Sequence, residues 1–470
     1  MNSARTVAEP VVSPELLRRH DGPGPRYTSY PTADRFVEAF GAAAYARALQ
    51  TRSPGAARHA GLAPLSVYVH VPFCESVCYY CACNKVITRH HERAAPYLDA
   101  LEVEIGLHTA ALGTRQPVTQ LHLGGGTPTF LSDAELARLM RSLHGAFAIA
   151  EGAEVSIEVD PRTADPQRLE GLAALGFNRL SFGVQDFDPD VQVAVHRVQS
   201  LDSVRSLLQA ARALNFRSTN IDLIYGLPRQ TAASFERTVA QVCELRPDRI
   251  ALYAYAHLPQ RFKPQRRIDA ALLPAAAQKV AMLAQAIAGF TGSGYHYIGM
   301  DHFALPDDAL AVARRQGRLH RNFQGYGTQA DGDLIGLGVS AIGRIGATYS
   351  QNAKGLTEYH DALAQGQFPV ARGLALTRDD LLRRAVVMAL MCQGRVEFES
   401  IALAHLVDFR KVFAAELEAL APLQSSGLVR IEPGAIEVTP LGWYFVRSVA
   451  MVFDRYLQAD RARDHFSRLI

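Results

Sequence analysis

From Leu65 onward, short apolar runs bounded by turn residues alternate with longer stretches in which apolar positions recur every three or four residues. The runs have the length of strands, and the longer stretches present one apolar helical face. The pattern predicts strands over Ser66–Val71, Thr119–Leu123, Glu154–Val159, Arg179–Val184, Asn220–Ile224 and Arg249–Tyr255. Between them it predicts helices over Tyr97–Leu112, Asp133–Phe147, Pro166–Leu175, Ser203–Leu214 and Ser234–Leu245. Several of these open on Ser, Thr or Asp, which accept hydrogen bonds from the first helical turn, and close near Gly or Pro.

Six strand–helix units imply a parallel sheet with right-handed crossovers, because parallel neighbours need a long return connection. The expected fold is therefore α/β, a partial (β/α)6 barrel or a doubly wound sheet, with its site where the strands end and the strand-to-helix loops converge. Residues 1–60 read as an arm that packs on a later domain, with Gly22-Pro23-Gly24-Pro25 and a short helical pattern around Ala39–Leu49. The barrel and its extension span 61–372, with a helix near Pro274–Ala288 and a polar, Gly-rich stretch over Tyr295–Gln351 in which the pattern weakens. Residues 373–470 read as a mostly helical domain to Leu423, a hairpin of Leu428–Glu432 and Ala435–Val438, and a helix from Leu441. Helices followed by a hairpin suggest a winged-helix-like module, and without a basic stripe a packing or lid role is preferred to DNA binding.

Composition narrows the class. The 470 residues are 48% hydrophobic and 20% charged, which excludes a disordered, collagen-like or coiled-coil chain. Lys plus Arg is 49 against 46 Asp plus Glu, so no footprint for nucleic acid or an anionic membrane is visible. No apolar run is long enough to span a membrane, and the first thirty residues lack the apolar stretch of a signal peptide, so a cytoplasmic protein is expected. Monomer is the default, since no long apolar stripe asks for a partner.

Four of the six cysteines fall within ten residues, as Cys74-Glu-Ser-Val-Cys78-Tyr-Tyr-Cys81-Ala-Cys83, directly after the first strand. Three chemistries compete for them. Structural zinc normally takes four ligands as two separated pairs, and the remaining Cys243 and Cys392 are isolated in apparent helices. A redox disulfide of Cys78 and Cys81 leaves Cys74 without a role. A [4Fe–4S] cluster accounts for the whole spacing, with three thiolates on three irons and the fourth iron open to a ligand that is not protein. Cys83 is the ambiguous fourth thiol.

The C-x3-C-x2-C spacing resembles the signature of the radical S-adenosylmethionine enzymes. Beyond it, Tyr68-Val-His-Val-Pro-Phe-Cys74, Cys81-Ala-Cys83-Asn-Lys85, Leu121-His-Leu-Gly-Gly-Gly-Thr-Pro-Thr129, Ser156-Ile-Glu-Val-Asp160 and Phe182-Gly-Val-Gln-Asp186 are similar to the oxygen-independent coproporphyrinogen III oxidases. Asn220-Ile-Asp-Leu-Ile-Tyr-Gly-Leu-Pro228, Tyr255-Ala-His-Leu-Pro259, Pro25-Arg-Tyr-Thr-Ser-Tyr-Pro31, Ile298-Gly-Met-Asp-His-Phe303 and Gln324-Gly-Tyr326 extend the similarity over nearly the whole chain. The resemblance implies a radical-SAM-type barrel and oxidative decarboxylation of two propionates of coproporphyrinogen III to vinyls, giving protoporphyrinogen IX in haem synthesis. A related branch, haem-binding chaperones, keeps the three cysteines; Cys83 and the Pro25–Pro31 arm favour the oxidase. A zinc-stabilised regulatory protein is the remote third reading.

The resemblance also implies site residues. Cys74, Cys78 and Cys81 hold the cluster, and S-adenosylmethionine binds as two molecules. Glu158, Gly125, Ala256 and Ile342 serve the first, and Gly126, Thr127, Gln185, Arg197 and Asp222 mostly the second, with Tyr68, Tyr80 and Cys83 packing nearby. Read from the residues alone, Glu158, Gln185 and Asp222 fall in matching register at strand ends, where polar groups converge on a nucleotide. Glycine at 125 and 126 lets the backbone approach a ligand closely. Two positions depart from the family pattern, His196 in place of Asn and Leu123 in place of a larger aromatic. The implied partners are a tetrapyrrole substrate and a reducing electron donor such as flavodoxin. Arg26, Arg261, Arg266 and Arg267 are candidates for propionates by composition, and His90-His91 is set aside as a metal pair because adjacent side chains diverge.

Overall fold

The computed structural model describes residues 12–20, 22, 24–52, 64–328 and 332–459. Pro23 of the expected arm turn and residues 53–60 of the arm lie outside the described residues. All six predicted units form, with strands β1 (Leu65–Val71), β2 (Pro117–Gly125), β3 (Ala148–Val159), β4 (Arg179–Gln185), β5 (Ser218–Tyr225) and β6 (Arg249–Ala254) pairing in parallel in chain order. The returning helices carry the predicted caps. Ser132 and Glu135 bond each other's backbone N–H at the start of Asp133–Ala146, and Thr231 and Ser234 do the same for Ala232–Leu245.

The stretch over Tyr295–Gln351, in which no strand is predicted, supplies both flanks of the sheet. Strands β7 (His296–Gly299) and β8 (His302–Ala304) add antiparallel to β6, while β9 (Asp333–Leu337) adds a seventh parallel strand on the outer side of β1. Then β10 (Ile342–Ile345), β11 (Thr348–Asn352) and β12 (Val370–Ala375) follow antiparallel. Among the described residues the order is β12-β11-β10-β9-β1-β2-β3-β4-β5-β6-β8-β7, an open sheet that does not close on itself. These strands have three to six residues and many glycines, so their hydrophobic period is too short to read locally. Strand β12 crosses the expected boundary at 372/373, and the arm bonds it through Val37 N–H to Gly373 O at 2.8 Å.

Alternation along the parallel strands divides the sheet into two chemically different faces. Val67, Val69, Leu121, Leu123, Val155, Ile157, Leu180, Phe182, Ile221, Leu223, Ile250 and Leu252 are buried against the helices. The opposite positions, read across the register, are Tyr68, His122, Ser156, Glu158, Arg179, Ser181, Asn220, Asp222 and Tyr253. Parallel strands covered on both faces are usually apolar throughout. A polar inner face therefore marks a lumen built for a polar ligand rather than a packed barrel core.

The carboxy-terminal region comprises the helices Arg378–Gln393 and Phe398–His405, shorter helical turns to Ser425, and a three-stranded sheet in which Ala435–Val438 lies between Arg395–Glu397 and Val429–Ile431. It is anchored inward. Buried Trp443 donates to Ile298 O at 2.8 Å, Tyr326 donates to Met391 O at 2.8 Å, and Tyr27 of the arm donates to Asp454 at 2.9 Å. No described helix is long and apolar enough to cross a membrane.

Candidate active site

At the carboxyl end of β1 the chain runs through Pro72 into Phe73–Cys74, which pairs in parallel with Val86–Ile87. That pairing clamps both ends of the thiol loop: Val86 N–H donates to Pro72 O at 2.8 Å and Thr88 N–H to Cys74 O at 2.9 Å. The end of β2 lies against it, with Gly126 N–H donating to Val71 O at 2.8 Å. A Cβ at position 126 would lie 2.5 Å from Pro72 O and 2.8 Å from Phe73 O, so only glycine lets the two strand ends meet this closely.

The loop opens on a cavity of about 280 Å³ lined by Cys74, Cys78, Cys81, Cys83 and Tyr80 from the loop, by Gly125, Gly126, Thr127, Glu158, Gln185 and Asp222 from the strands β2 to β5 and their ends, and by Arg197 from the connection between β4 and β5. Twelve of the fifteen residues expected at the site thus share one cavity wall. The other three are not in its lining. Tyr68 stacks on His122 and bonds His70 Nδ1 at 3.0 Å; Ala256 presents its carbonyl to Gln265 Nε2 at 3.2 Å beyond β6; Ile342 backs Gly336, the β9 residue paired with Tyr68.

The thiols differ in environment. Burial pushes Cys74 up to about 11, against a 3.3 Å hydrogen bond from Thr127. A hydrogen bond with Cys83 draws Cys81 down to about 6, helped by Lys85, whose Nζ also donates to Cys81 O at 3.0 Å. Cys83 is pushed up by the same contact. Cys78 receives N–H groups from Arg197 at 3.4 Å and Arg162 at 3.5 Å. None of the six cysteines is in a disulfide. Among the described residues no three His, Cys, Asp or Glu side chains gather around a point that could hold one metal ion, whereas a cubane takes each thiolate at a different iron. The donor set, the glycine wall and the cationic N–H groups on sulfur fit a cluster with three cysteine ligands.

Arg197, expected to serve the second S-adenosylmethionine, is paired in the structure with a carboxylate of the protein's own. Its Nη2 lies 3.2 Å from Asp160 Oδ1, while Arg162 Nη2 lies 2.6 Å from Asp160 Oδ2, and Arg197 Nε donates to Gly183 O at 3.0 Å. Burial pushes the Asp160 carboxyl up, but Arg197 and Arg162 outweigh it, so the group sits below the usual carboxylate range. Asp222 goes the other way: burial first and nearby Glu158 second raise it to about 6, with Asn220 donating at 2.8 Å. Gln185 stands at φ +74°, a left-handed backbone held by strand and loop where the site is formed.

Sequence reasoning missed Asp160, Arg162, Lys85, Ser181 and Tyr253, all of which line the cavity. Asp160 had a readable signal, since it follows Glu158 by two residues at the same strand end. His196, the departure from the family pattern, stacks on Tyr79 at 5.1 Å and bonds Val77 O at 2.9 Å, so it braces the thiol loop from outside. The other departure, Leu123, is fully buried on the helix-facing side of β2. His90 and His91 part as expected, His90 to Glu92 and His91 onto the Phe130 ring.

An open parallel sheet with a three-cysteine loop after its first strand is the arrangement of the radical SAM superfamily, whose family model matches residues 68–242; a model of the HemN C-terminal domain matches 376–445. Members of this superfamily use a [4Fe–4S] cluster and S-adenosylmethionine. The chain is 50% identical to the oxygen-independent coproporphyrinogen III oxidase of Pseudomonas aeruginosa, over 97% of this chain and 98% of the relative. It is 49% identical to the enzyme of that name from Escherichia coli, over 97% and 98%. The solved structure of the Escherichia coli coproporphyrinogen III oxidase, described as a radical SAM enzyme, superposes with a TM-score of 0.87 over 92% of this chain and 98% of that one. The chain belongs to the family of oxygen-independent coproporphyrinogen III oxidases.

Proposed function

We propose that this chain converts two propionate side chains of coproporphyrinogen III to vinyls without oxygen, giving protoporphyrinogen IX in haem synthesis. The observation that carries the reading is the single cavity in which the three thiols of the β1 loop face polar side chains from the ends of β2 to β5. When bound, the cluster and S-adenosylmethionine supply a 5′-deoxyadenosyl radical able to take a hydrogen atom from an unactivated carbon. Each vinyl formed removes from the side chain one carbon dioxide, one hydrogen atom from the β-carbon, taken by the radical, and one electron, which passes to an external one-electron acceptor.

Cys74, Cys78 and Cys81 hold three irons of the cluster, and Cys83 stays a neighbour. Glu158, Gly125, Ala256 and Ile342 hold a first S-adenosylmethionine; Gly126, Thr127, Gln185, Arg197 and Asp222 hold a second. Tyr68 and Tyr80 pack against these groups. Asp160 orients the Arg197 and Arg162 guanidiniums toward Cys78, whose sulfur accepts an N–H from each. Supporting this, Glu158 Oε2 accepts from Gly125 N–H at 3.1 Å and so fixes the rim beside the glycine wall. We assign the arm to 1–60, the barrel with its extension to 61–372 and the helical domain to 373–470, in a cytoplasmic monomer served by a flavodoxin-type donor.

The test is anaerobic. After reconstitution with iron and sulfide, reductant and S-adenosylmethionine should give 5′-deoxyadenosine that depends on coproporphyrinogen III, together with protoporphyrinogen IX. Cleavage of S-adenosylmethionine without porphyrin conversion would move the substrate elsewhere.

A further inference from the structure

The polar face of the sheet carries an imidazole that the proposed chemistry leaves unused. Register places Tyr68 of β1, His122 of β2 and Ser156 of β3 side by side, with Glu158 two residues beyond Ser156 on the same face. The His122 ring lies against Tyr68, 5.9 Å between centres and 20° from parallel, and its Nδ1 meets Ser156 Oγ at 2.7 Å. Its Nε2 lies 3.5 Å from Glu158 Oε1. Glycine at 124 leaves the gap through which ring and carboxylate meet, since a Cβ there would lie 2.9 Å from Glu158 Oε1 and 3.1 Å from His122 Nε2.

A neutral imidazole has one N–H and one lone pair, and the partner of one nitrogen sets the state of the other. Ser156 Oγ is 2.7 Å from Nδ1 but 3.5 Å from Leu121 O, so its proton goes to the ring. That leaves the N–H on Nε2, facing the carboxylate; the other tautomer would set a lone pair against a carboxylate oxygen. Glu158 is then met at both oxygens, Oε1 by His122 and Oε2 by Gly125 N–H at 3.1 Å. His70, Asp222 and Cys83 also feel the Glu158 charge. The two nitrogens of His70 are taken by Tyr68 Oη and Asn84 O, at 3.0 Å and 2.9 Å, and Asp222 takes its donors from Asn220 and Ser181.

We infer that His122 is a positioning residue for Glu158: through Nε2–H it sets the angle at which this carboxylate meets the first S-adenosylmethionine. The inference rests on the reading of Glu158 as a ligand of that molecule and adds to it the group behind. Exposure separates the two roles, since Glu158 keeps 43% of its side chain open and lines the cavity, whereas His122 keeps 15% and lies outside the lining. Each oxygen of Glu158 still has a lone pair for a hydroxyl or ammonium group of the ligand. A carboxylate already fixed in place loses less freedom when that ligand binds.

The experiment titrates, without porphyrinogen, the change that S-adenosylmethionine makes in the electron paramagnetic resonance spectrum of the reduced cluster. Amide replacements separate the two ring nitrogens, because a Gln amide reaches the Nε2 position and an Asn amide only Nδ1. His122→Asn should raise the half-saturating concentration about 10-fold, the size of one hydrogen bond to a charged group, while His122→Gln stays within about 3-fold of wild type. Glu158→Gln should also weaken binding, and adding His122→Asn to it should cause no further loss. A loss in His122→Gln as large as that in His122→Asn, losses that add in the double variant, or wild-type affinity in His122→Asn would each overturn the inference. Ser156→Ala frees the tautomer without altering the ring and serves as the second variant should His122→Asn fail to hold the cluster. It should weaken binding about 3-fold, and no loss there overturns the inference too. Wild-type affinity in Glu158→Gln would instead remove Glu158 from the S-adenosylmethionine site, and with it the reading on which the inference rests.

Discussion

Two carboxylates are enclosed by this fold and are answered in opposite ways. Glu104, on the helix Ala94–Leu112, lies in the seam where that helix meets the added strands, and it is fully buried. It meets only neutral donors: Gly338 N–H at 2.7 Å, Asn352 Nδ2 at 2.7 Å and Tyr359 Oη at 2.6 Å. Burial therefore pushes it up to about 7. Asp160, at the rim of the cavity, is clasped by two arginines and kept charged. Neutral donors suit a pin that joins strands and helix, since protonation leaves most of its contacts in place. Cations suit a site beside sulfur, because both arginines also donate an N–H to Cys78.

The contrast breaks first at the thiols. Cys74→Ser, Cys78→Ser and Cys81→Ser should each abolish the iron–sulfur absorbance and all turnover, while Cys83→Ser should keep the absorbance. A cluster surviving in any of the first three, or lost in the fourth, would sink the ligand assignment.

Asp160→Asn leaves Arg162 and Arg197 facing each other without their shared carboxylate. A loss of about 3–5 kcal/mol is expected from urea unfolding, as for other buried pairs deprived of one partner. A loss below about 1 kcal/mol would show that water screens this rim as it does a surface pair.

Glu104 sharpens the contrast through pH. Its carboxyl is raised from 4.5 to about 7 in the folded chain, so its contribution is fully present below pH 4.5 and is lost as pH rises through 7. Relative to Glu104→Gln, the wild type should lose about 3 kcal/mol over that window, since each tenfold gain in proton affinity on folding is worth about 1.4 kcal/mol. Parallel urea midpoints for the two proteins across the window would place Glu104 among cations instead. Gly126→Ala is the smallest expected effect, about 1–3 kcal/mol, because the added methyl meets the fixed backbone of Pro72 and Phe73. Its cost should appear with loosening of the thiol loop, read as faster hydrogen exchange at Val86 and Thr88.

Much of the functional half was legible. Strand period, helix caps and the spacing of three cysteines are set within about ten residues, and each is a local consequence of backbone geometry and side-chain chemistry. So the six units and the placing of Cys74, Cys78 and Cys81 after the first strand could be read from order, whereas the matching register expected of Glu158, Gln185 and Asp222 is not what the sheet gives: Glu158 pairs with Ser181, Asp222 with Gly183 and Gln185 with Leu223. Strand β9 could not. Five residues in a Gly-rich stretch become a parallel strand only because β1 offers an unpaired edge more than 260 residues earlier. The partners of Arg26 and Arg197 were hidden for the same reason, Asp301 lying 275 positions away and Asp160 lying 37. Residue order alone dictates which segments fold, where the thiols stand and which family they serve. Which charges meet is settled in three dimensions, since pairing between distant side chains depends on how the sheet brings them together and on the burial that makes their attraction strong.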